Sequence, residues 1–410
     1  MYKWIRNFYD SQVVKLDASK VSAIVTNKAV LYPTVLQLFT AVAPLMFFRF
    51  VFQGYPPAEI IIIELLFVFN AFCAVITSWS STLFLSRIYS RLAKSGAFST
   101  ILFNRSITVG CIFVVFFIIQ QFTAVIPETS DFLFTLLLFL VAQMFDSSWF
   151  YVGQKKLYMP QLQLICQYCL AFIMCYYEAP ILLAIGVSWL TISICFFIPI
   201  VKVVRFGPVR LSLSLRIFRR FSLPTLSEIA TSLFSKLDVL YASVLLTPAN
   251  AVVYILLRKH ILATQSIIFA SIRLLYLERD PEELAKINSL IRLYVTLACT
   301  LGVIAVSWSV SVLFEYDMSS DDVIALIIFA IGIPLGYYKV QTQLQYAYIN
   351  GFFVLDLLAS FFVFAMYMLC IGVFSFLFTD LLIWIVLARI SNDVVYVAIM
   401  YMSRIKESLR

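Results

Sequence analysis

Apolar positions in this chain fall in continuous runs rather than in alternation, and the runs are separated by short polar linkers. A hydrocarbon core about 30 Å thick is crossed by about 20 helical residues, so each run predicts a membrane-spanning helix. About twelve are predicted, over 28–51, 57–85, 98–120, 130–152, 157–176, 180–202, 222–246, 250–274, 289–314, 322–346, 352–374 and 380–402. Barrel strands are excluded, because they would alternate over about ten residues. The expected fold is an all-α polytopic membrane protein.

The linkers carry a second pattern. Those at 52–58, 121–131, 177–180, 247–250, 315–322 and 375–380 hold no Lys or Arg, although they include Glu128, Asp131, Glu178, Glu315, Asp317, Asp321, Asp322 and Asp380. The alternate linkers hold Arg87, Arg91 and Lys94, then Lys155 and Lys156, then Lys202, Arg205, Arg210, Arg216, Arg219 and Arg220, then Arg279 and Lys286. The positive-inside rule places the basic set in the cytoplasm. Lys3, Arg6, Lys15 and Lys20 at the start and Arg404, Lys406 and Arg410 at the end share that side, so both termini are expected to be cytoplasmic.

Composition agrees: 62% of residues are hydrophobic, 13% are charged and the mean hydropathy is +0.97, which no water-soluble fold could bury. The net charge of +8 follows from the basic linkers, and with no contiguous soluble domain to carry it no nucleic-acid partner is expected. The first twenty residues lack the short apolar core and cleavage site of a signal peptide, so the first helix is expected to direct insertion. The cysteines all lie in predicted spans and imply no disulfide framework. Cys166 and Cys169 form a C-x-x-C in an apolar helix without further Cys or His partners, and read as small packing residues rather than a metal or redox site.

The longest basic linker divides the chain into two groups of six helices: an N-terminal bundle over 1–205, a basic cytoplasmic linker over 206–221 and a C-terminal bundle over 222–410. Leu31 to Val35 resembles Ser222 to Leu226, and in that Pro-Thr register Gln37 meets Glu228 and Thr40 meets Thr231. Glu228, Thr231, Ser235 and Asp238 recur at helical spacing, as do Gln37, Thr40 and Pro44. Polar stripes are costly against lipid, so both are expected to face a shared interior. Parallel repeats of this kind suit a transporter whose halves rock about an axis along the membrane normal.

An ionisable side chain at the bilayer centre costs about 2.5–3.5 kcal/mol on insertion scales. Arg49 and Glu64 near outside ends, and Arg105, Arg273, Arg292 and Asp356 near inside ends, are expected to snorkel to the interfaces. Lys236 and Asp238, then Arg258, Lys259 and His260, then Arg389 and Asp393 lie deeper. Arg389 and Asp393, four apart, are expected to neutralise each other. Lys236, Arg258, Lys259 and Lys339 are expected to line a cationic cavity, with Tyr337, Tyr338, Gln341, Gln343 and Gln345 beside Lys339 suited to sugars. Such a cavity favours a polyanion such as a lipid diphosphate. Asp146, Glu228 and Asp238 are candidates for proton or Na⁺ coupling; no cofactor is expected.

The segment Asp146-Ser147-Ser148-Trp149-Phe150-Tyr151-Val152-Gly153-Gln154-Lys155-Lys156 resembles the W-F-x-x-G-x-x-K segment of Wzx-type polysaccharide flippases, in the multidrug/oligosaccharidyl-lipid/polysaccharide exporter superfamily. The stretch from Phe221 to Pro224, through Lys236-Leu237-Asp238, to Thr247-Pro248-Ala249-Asn250-Ala251 and Tyr254 is similar to that family's helix and S-P-A-x-x-G-x-Y turn, with Val252 and Val253 where a Gly is usual. The resemblance implies movement of undecaprenyl-diphosphate-linked oligosaccharide units across the bacterial inner membrane by alternating access, for O-antigen or a related polysaccharide. It implies as partners the bilayer, the lipid-linked oligosaccharide, and the polymerase and chain-length regulator of the same pathway.

Three rivals are weighed against it. A multidrug or cation antiporter of the same superfamily would carry a cavity dominated by carboxylates and aromatics. An O-antigen polymerase or membrane glycosyltransferase would need a sizeable outside loop with catalytic Arg or acidic residues, and the outside linkers are short and lack Arg. A membrane acyltransferase would need an accessible reactive His, and the only His, His260, reads as a hydrogen-bonded helix residue.

Overall fold

A computed structural model of the chain describes residues 28–78, 98–122, 130–154, 156, 158–278, 319–343, 353–377 and 381–408. They form α1 (Lys28–Gly54), α2 (Pro57–Ser78), α3 (Phe98–Phe122), α4 (Ser130–Met144), α5 (Ser148–Gly153), α6 (Tyr158–Tyr176), α7 (Ile181–Val203), α8 (Leu211–Leu245), α9 (Pro248–Glu278), α10 (Ser320–Gln343), α11 (Phe353–Leu377) and α12 (Leu381–Ser408). Among the described residues seven helices are long and apolar enough to cross a membrane, and the chain is an all-helical polytopic membrane protein. The expected span 289–314 lies outside the described residues.

Local chemistry fixes the helix ends at one end of the bundle. Pro57 and Pro248 open α2 and α9 where a backbone N–H would have no helical partner, and Thr247 caps α9, its Oγ1 accepting from the Asn250 N–H at 3.4 Å. Ser319 and Asp322 cap each other's N–H groups at 2.9 and 3.3 Å ahead of α10. Glu178 adopts φ 64 at the end of α6, where the Ala179 N–H returns to the Met174 carbonyl at 3.1 Å and stops the helix.

Two boundaries differ from the sequence reading. The span expected over 130–152 is broken at Phe145–Ser147, because the Asp146 carboxylate accepts from the Ser148 N–H at 3.0 Å and the Ser148 hydroxyl at 2.9 Å and so caps a new helix. The span expected from 222 begins at Leu211, so much of the 206–221 linker is helical. α8 runs through Pro224, which removes one backbone bond without ending the helix. The segment before and at the start of α8 is fastened to α3: Gly207 N–H donates to Ser99 Oγ and Arg210 N–H to Thr100 Oγ1, each at 3.1 Å, and Ser214 bonds Asn104.

Packing repeats between a first set of helices, α1–α7, and a second set, α8–α12. α1 lies on α6 as α8 lies on α11; α6 lies on α7 as α11 on α12; α4 lies on α7 as α10 on α12; α2 lies on α4 as α9 on α10. Between the sets, α1 meets α9 and α8 meets α2, the crossed pair that a pseudo-two-fold arrangement requires, and α2 also meets α9. One continuous apolar core passes through this junction, from Phe47, Phe48 and Leu66 to Val239, Tyr254 and Leu326. Trp149, Phe150 and Tyr151 of the W-F segment form a separate cluster with Phe98 and Phe197, and Tyr151 donates to the Phe196 carbonyl at 2.8 Å.

Small residues allow the closest approaches, as is usual where helices pack without a hydrophobic driving force. A Cβ on Gly186 of α7 would sit 2.9 Å from Leu138 Cδ1 of α4, and one on Gly332 of α10 would sit 3.0 Å from Ile390 Cγ1 of α12. Gly186→Leu is therefore expected to lower the yield of monodisperse protein in detergent several-fold, measured by fluorescence-detection size exclusion. Gly110→Leu, at a position with open space around it, is expected to leave the yield unchanged.

Candidate functional site

The charged side chains that sequence reading separated by helix are joined at the junction of the two sets. On α9 Arg258 donates through Nε to Asp238 Oδ2 of α8 at 2.8 Å, and its Nη1 lies 3.8 Å from Glu64 Oε1 of α2. Lys259, next on α9, pairs with the other Glu64 oxygen. Tyr254, one helical turn before Arg258, donates its hydroxyl to Asp238 Oδ2 at 2.8 Å, and the Val239 N–H holds Oδ1 at 3.0 Å. From Asp238 the chain of charges continues to Arg389 of α12 at 3.8 Å, from Arg389 to Asp393 at 4.0 Å, and from Asp393 to Lys339 of α10 at 2.8 Å. Signs alternate throughout: Lys259, Glu64, Arg258, Asp238, Arg389, Asp393, Lys339.

Depth excludes a surface explanation. Glu64 is 3%, Asp238 1% and Arg258 4% exposed. Desolvating such groups costs several kcal/mol per ion, and only good geometry with further hydrogen bonds offsets it. Asp238 meets that condition with donors from Arg258, Tyr254 and its own backbone neighbour.

A second polar group adjoins the far end. The Lys339 ammonium lies 5.3 Å from the Tyr396 ring centre, and the Tyr396 hydroxyl bonds Asp356 of α11, which also bonds Ser227 of α8. Thr231, one turn on from Ser227, lies 3.3 Å from Ser360. The polar face of α8 is thus Ser227, Thr231 and Asp238. Glu228 is half-buried and lies about 15 Å along α8 from Asp238. The side chains of Gln37, Ser235, Tyr337, Tyr338, Gln341 and Gln343, and residue Gln345, lie outside the described set.

Several sequence expectations are corrected by this geometry. Glu64 does not snorkel: it is about 10 Å along α2 from Pro57 and bonds across the junction. Asp356 does not snorkel either, since hydroxyls from two neighbouring helices enclose it. Arg389 and Asp393 do pair, at 4.0 Å, and Lys339 adds a second cation on the same Asp393 oxygen at 2.8 Å. Arg105 is buried and anchored on Asp146, donating to its carbonyl at 2.6 Å and to its carboxylate at 3.2 Å. Asp146 therefore acts locally as helix cap and ion-pair partner, in a cluster separate from the ladder. His260 is buried, with Nδ1–H donating to the Leu256 carbonyl at 2.8 Å.

Of the four cations expected to line a cavity, Arg258, Lys259 and Lys339 each hold a carboxylate. Lys236 is half-buried, within electrostatic range of Glu64, Asp238, Arg258 and Lys259, and no described carboxylate pairs with it. Among the described residues the cluster holds Lys236, Arg258, Lys259, Lys339 and Arg389 against Glu64, Asp238 and Asp393, an excess of positive charge. Glu64 is visible in the sequence as a charge near an outside end, but its place at the junction is not, because its partners lie on α9.

Removing one member strands its partners. Asp238→Ala is expected to destabilise the fold by about 3–5 kcal/mol, because Arg258 is left buried without its closest counter-charge. Thermal unfolding in detergent should show a marked fall for the single variant and partial recovery for Asp238→Ala with Arg258→Leu.

No protein-family model and no curated protein matches the chain. Solved structures do. A mutant of the Vibrio cholerae MATE transporter VcmN superposes with a TM-score of 0.64 at 16% identity, over 95% of this chain and 98% of that one. An inward-facing multidrug resistance MATE family transporter of the MOP superfamily gives 0.61 at 16% identity, over 94% and 96%. A MOP superfamily transporter from Pyrococcus furiosus, whose binding pocket has reverse polarity and for which a different function is suggested, gives 0.60 at 16% identity, over 93% and 96%. At such identity the likeness is one of architecture: this chain has the fold of the MATE transporters of the MOP superfamily.

Proposed function

We propose that the protein is an alternating-access transporter that moves a lipid-diphosphate-linked oligosaccharide across a bacterial inner membrane. The observation that carries this reading is the cation excess at the junction of the two helix sets, with Lys236 free of any described carboxylate beside Arg258 and Lys259. A diphosphate supplies the missing negative charge and accepts several charge-assisted hydrogen bonds at once. The ladder crosses the junction about which two packed sets of helices would rock, so charge recognition and conformational change share the same atoms. The resemblance of the Asp146–Lys156 and Phe221–Tyr254 segments to Wzx-type flippases supports the lipid-linked glycan as substrate. In the structure the first of these segments builds the packed base of α5 rather than the site.

The MATE fold of the neighbours favours a second reading, a multidrug or cation antiporter. A cationic drug needs an available carboxylate. Here Asp238 is bonded by Arg258 and Tyr254, and Glu64 by Lys259, so binding a cation would first have to displace fixed ones. An anion meets no such competition at Lys236.

Proteoliposomes containing a labelled polyprenyl-diphosphate oligosaccharide test the proposal. The wild type is expected to move the label between leaflets. Lys236→Ala is expected to slow it at least about tenfold, since a hydrogen bond to a charged group is worth about 1.5–3 kcal/mol. No movement of the glycolipid together with efflux of a cationic dye would establish the antiporter reading instead.

A further inference from the structure

Lys259 belongs to the second helix set, yet every contact described for its ammonium comes from the first. It pairs with Glu64 of α2 and sits 5.1 Å from the ring centres of both Phe48 on α1 and Phe67 on α2. The socket is braced from behind by other first-set aromatics: Phe67 lies 6.0 Å from Tyr168 and 5.5 Å from Trp189, and Phe47 lies 5.8 Å from Tyr168. Arg258 makes a second tie across the same junction, through Glu64. Both ties meet at Glu64, about 10 Å along α2 from Pro57, and their cations lie about 15 Å along α9 from Pro248, so both are nearer the end of the bundle that carries the Gly54–Pro57 and Leu245–Pro248 turns. By the charge pattern of the linkers that end faces outside.

We infer that Glu64 is a built-in competitor for the substrate's phosphate. While it holds Lys259 and Arg258 it latches the two helix sets together at that end, and a diphosphate that takes over those cations releases the latch. Carboxylate and phosphate oxygens accept the same charge-assisted hydrogen bonds from Arg and Lys, and a diphosphate brings more than one negative charge where Glu64 brings one. Lys236, with no described carboxylate of its own, is the first point of contact, and Arg258 and Lys259 follow as they exchange partners. Once Glu64 is released, the described contacts of the Lys259 ammonium in the first set are the two aromatic faces, and the junction at that end is held by apolar packing without its ion pairs. The inference rests on the anionic-substrate reading and adds to it an internal ligand and the order in which the cations engage.

Geranyl diphosphate is a suitable probe, read by equilibrium binding and by spin-label distances between Gln53→Cys and Asn250→Cys, exposed positions at the latched end of each set, on a cysteine-free background in nanodiscs. The wild type is expected to show a short distance that lengthens on adding the probe. Glu64→Gln is expected to show the longer distance without probe and to bind it about tenfold more tightly, as when a latched state populated about nine times in ten no longer taxes binding. Lys259→Met is expected to lengthen the distance in the same way but to bind the probe more weakly, a pairing that simple misfolding would not produce. Unchanged distance and affinity in Glu64→Gln, with the wild type still binding the probe, would overturn the inference and leave the anionic-substrate reading standing. Absence of binding in both proteins would overturn that reading, and the inference with it.

Discussion

Charge buried in hydrocarbon has to be matched, and the ladder from Lys259 to Lys339 is how this chain matches it. Each carboxylate in it answers cations on other helices, so α2, α8, α9, α10 and α12 are held in register by charge as well as by packing. The ends of the ladder lie at different depths. Glu64 is about 10 Å from the turn end of α2, whereas Lys339 is about 6 Å from Gln343 at the opposite end of α10. A ladder that descends through the bundle in this way ties both ends of the junction to one set of ion pairs.

The same arrangement sets the junction apart from the packing within each set. The packing within each set is close, with Gly186 against α4 and Gly332 against α12 leaving no room for even a methyl group. Interiors packed that closely have little room to yield and transmit strain. Between the sets the contacts include the ion pairs of Glu64 with Arg258 and Lys259 beside the apolar core, and on the proposed function these are the contacts that a substrate anion would take over. The start of α8 fastened to α3, followed by Pro224 within the same helix, gives the second set a continuous yet interrupted connection to the first.

Helix positions were legible in the sequence because apolar runs of membrane length admit few alternatives, and Pro57, Pro248 and the Ser319–Asp322 cap mark their starts. The break at Asp146 was not, since a short acidic residue inside an apolar run is equally consistent with a half-neutralised span until its acceptors are seen to hold Ser148. The 222 boundary failed for a related reason: Pro224 reads as a helix start, but the residues before it continue the helix against α3. Arg258, Lys259 and Asp238 stand out in the sequence as charges within apolar runs, and Lys339 as a further cation. Their pairing was hidden because the partners are far apart in sequence: Glu64 is nearly two hundred residues from Lys259, and a lone carboxylate near a predicted outside end gives no sign of what crosses it.

What this chain places at its junction is decided by residues rather than by fold. The most direct test is a cryo-electron microscopy structure in nanodiscs with a synthetic polyprenyl-diphosphate oligosaccharide bound. The diphosphate is expected within hydrogen-bonding distance of Lys236 and Arg258, with Glu64 withdrawn from Lys259. Glycolipid bound elsewhere, with the Lys259–Glu64–Arg258–Asp238 contacts intact, would contradict it.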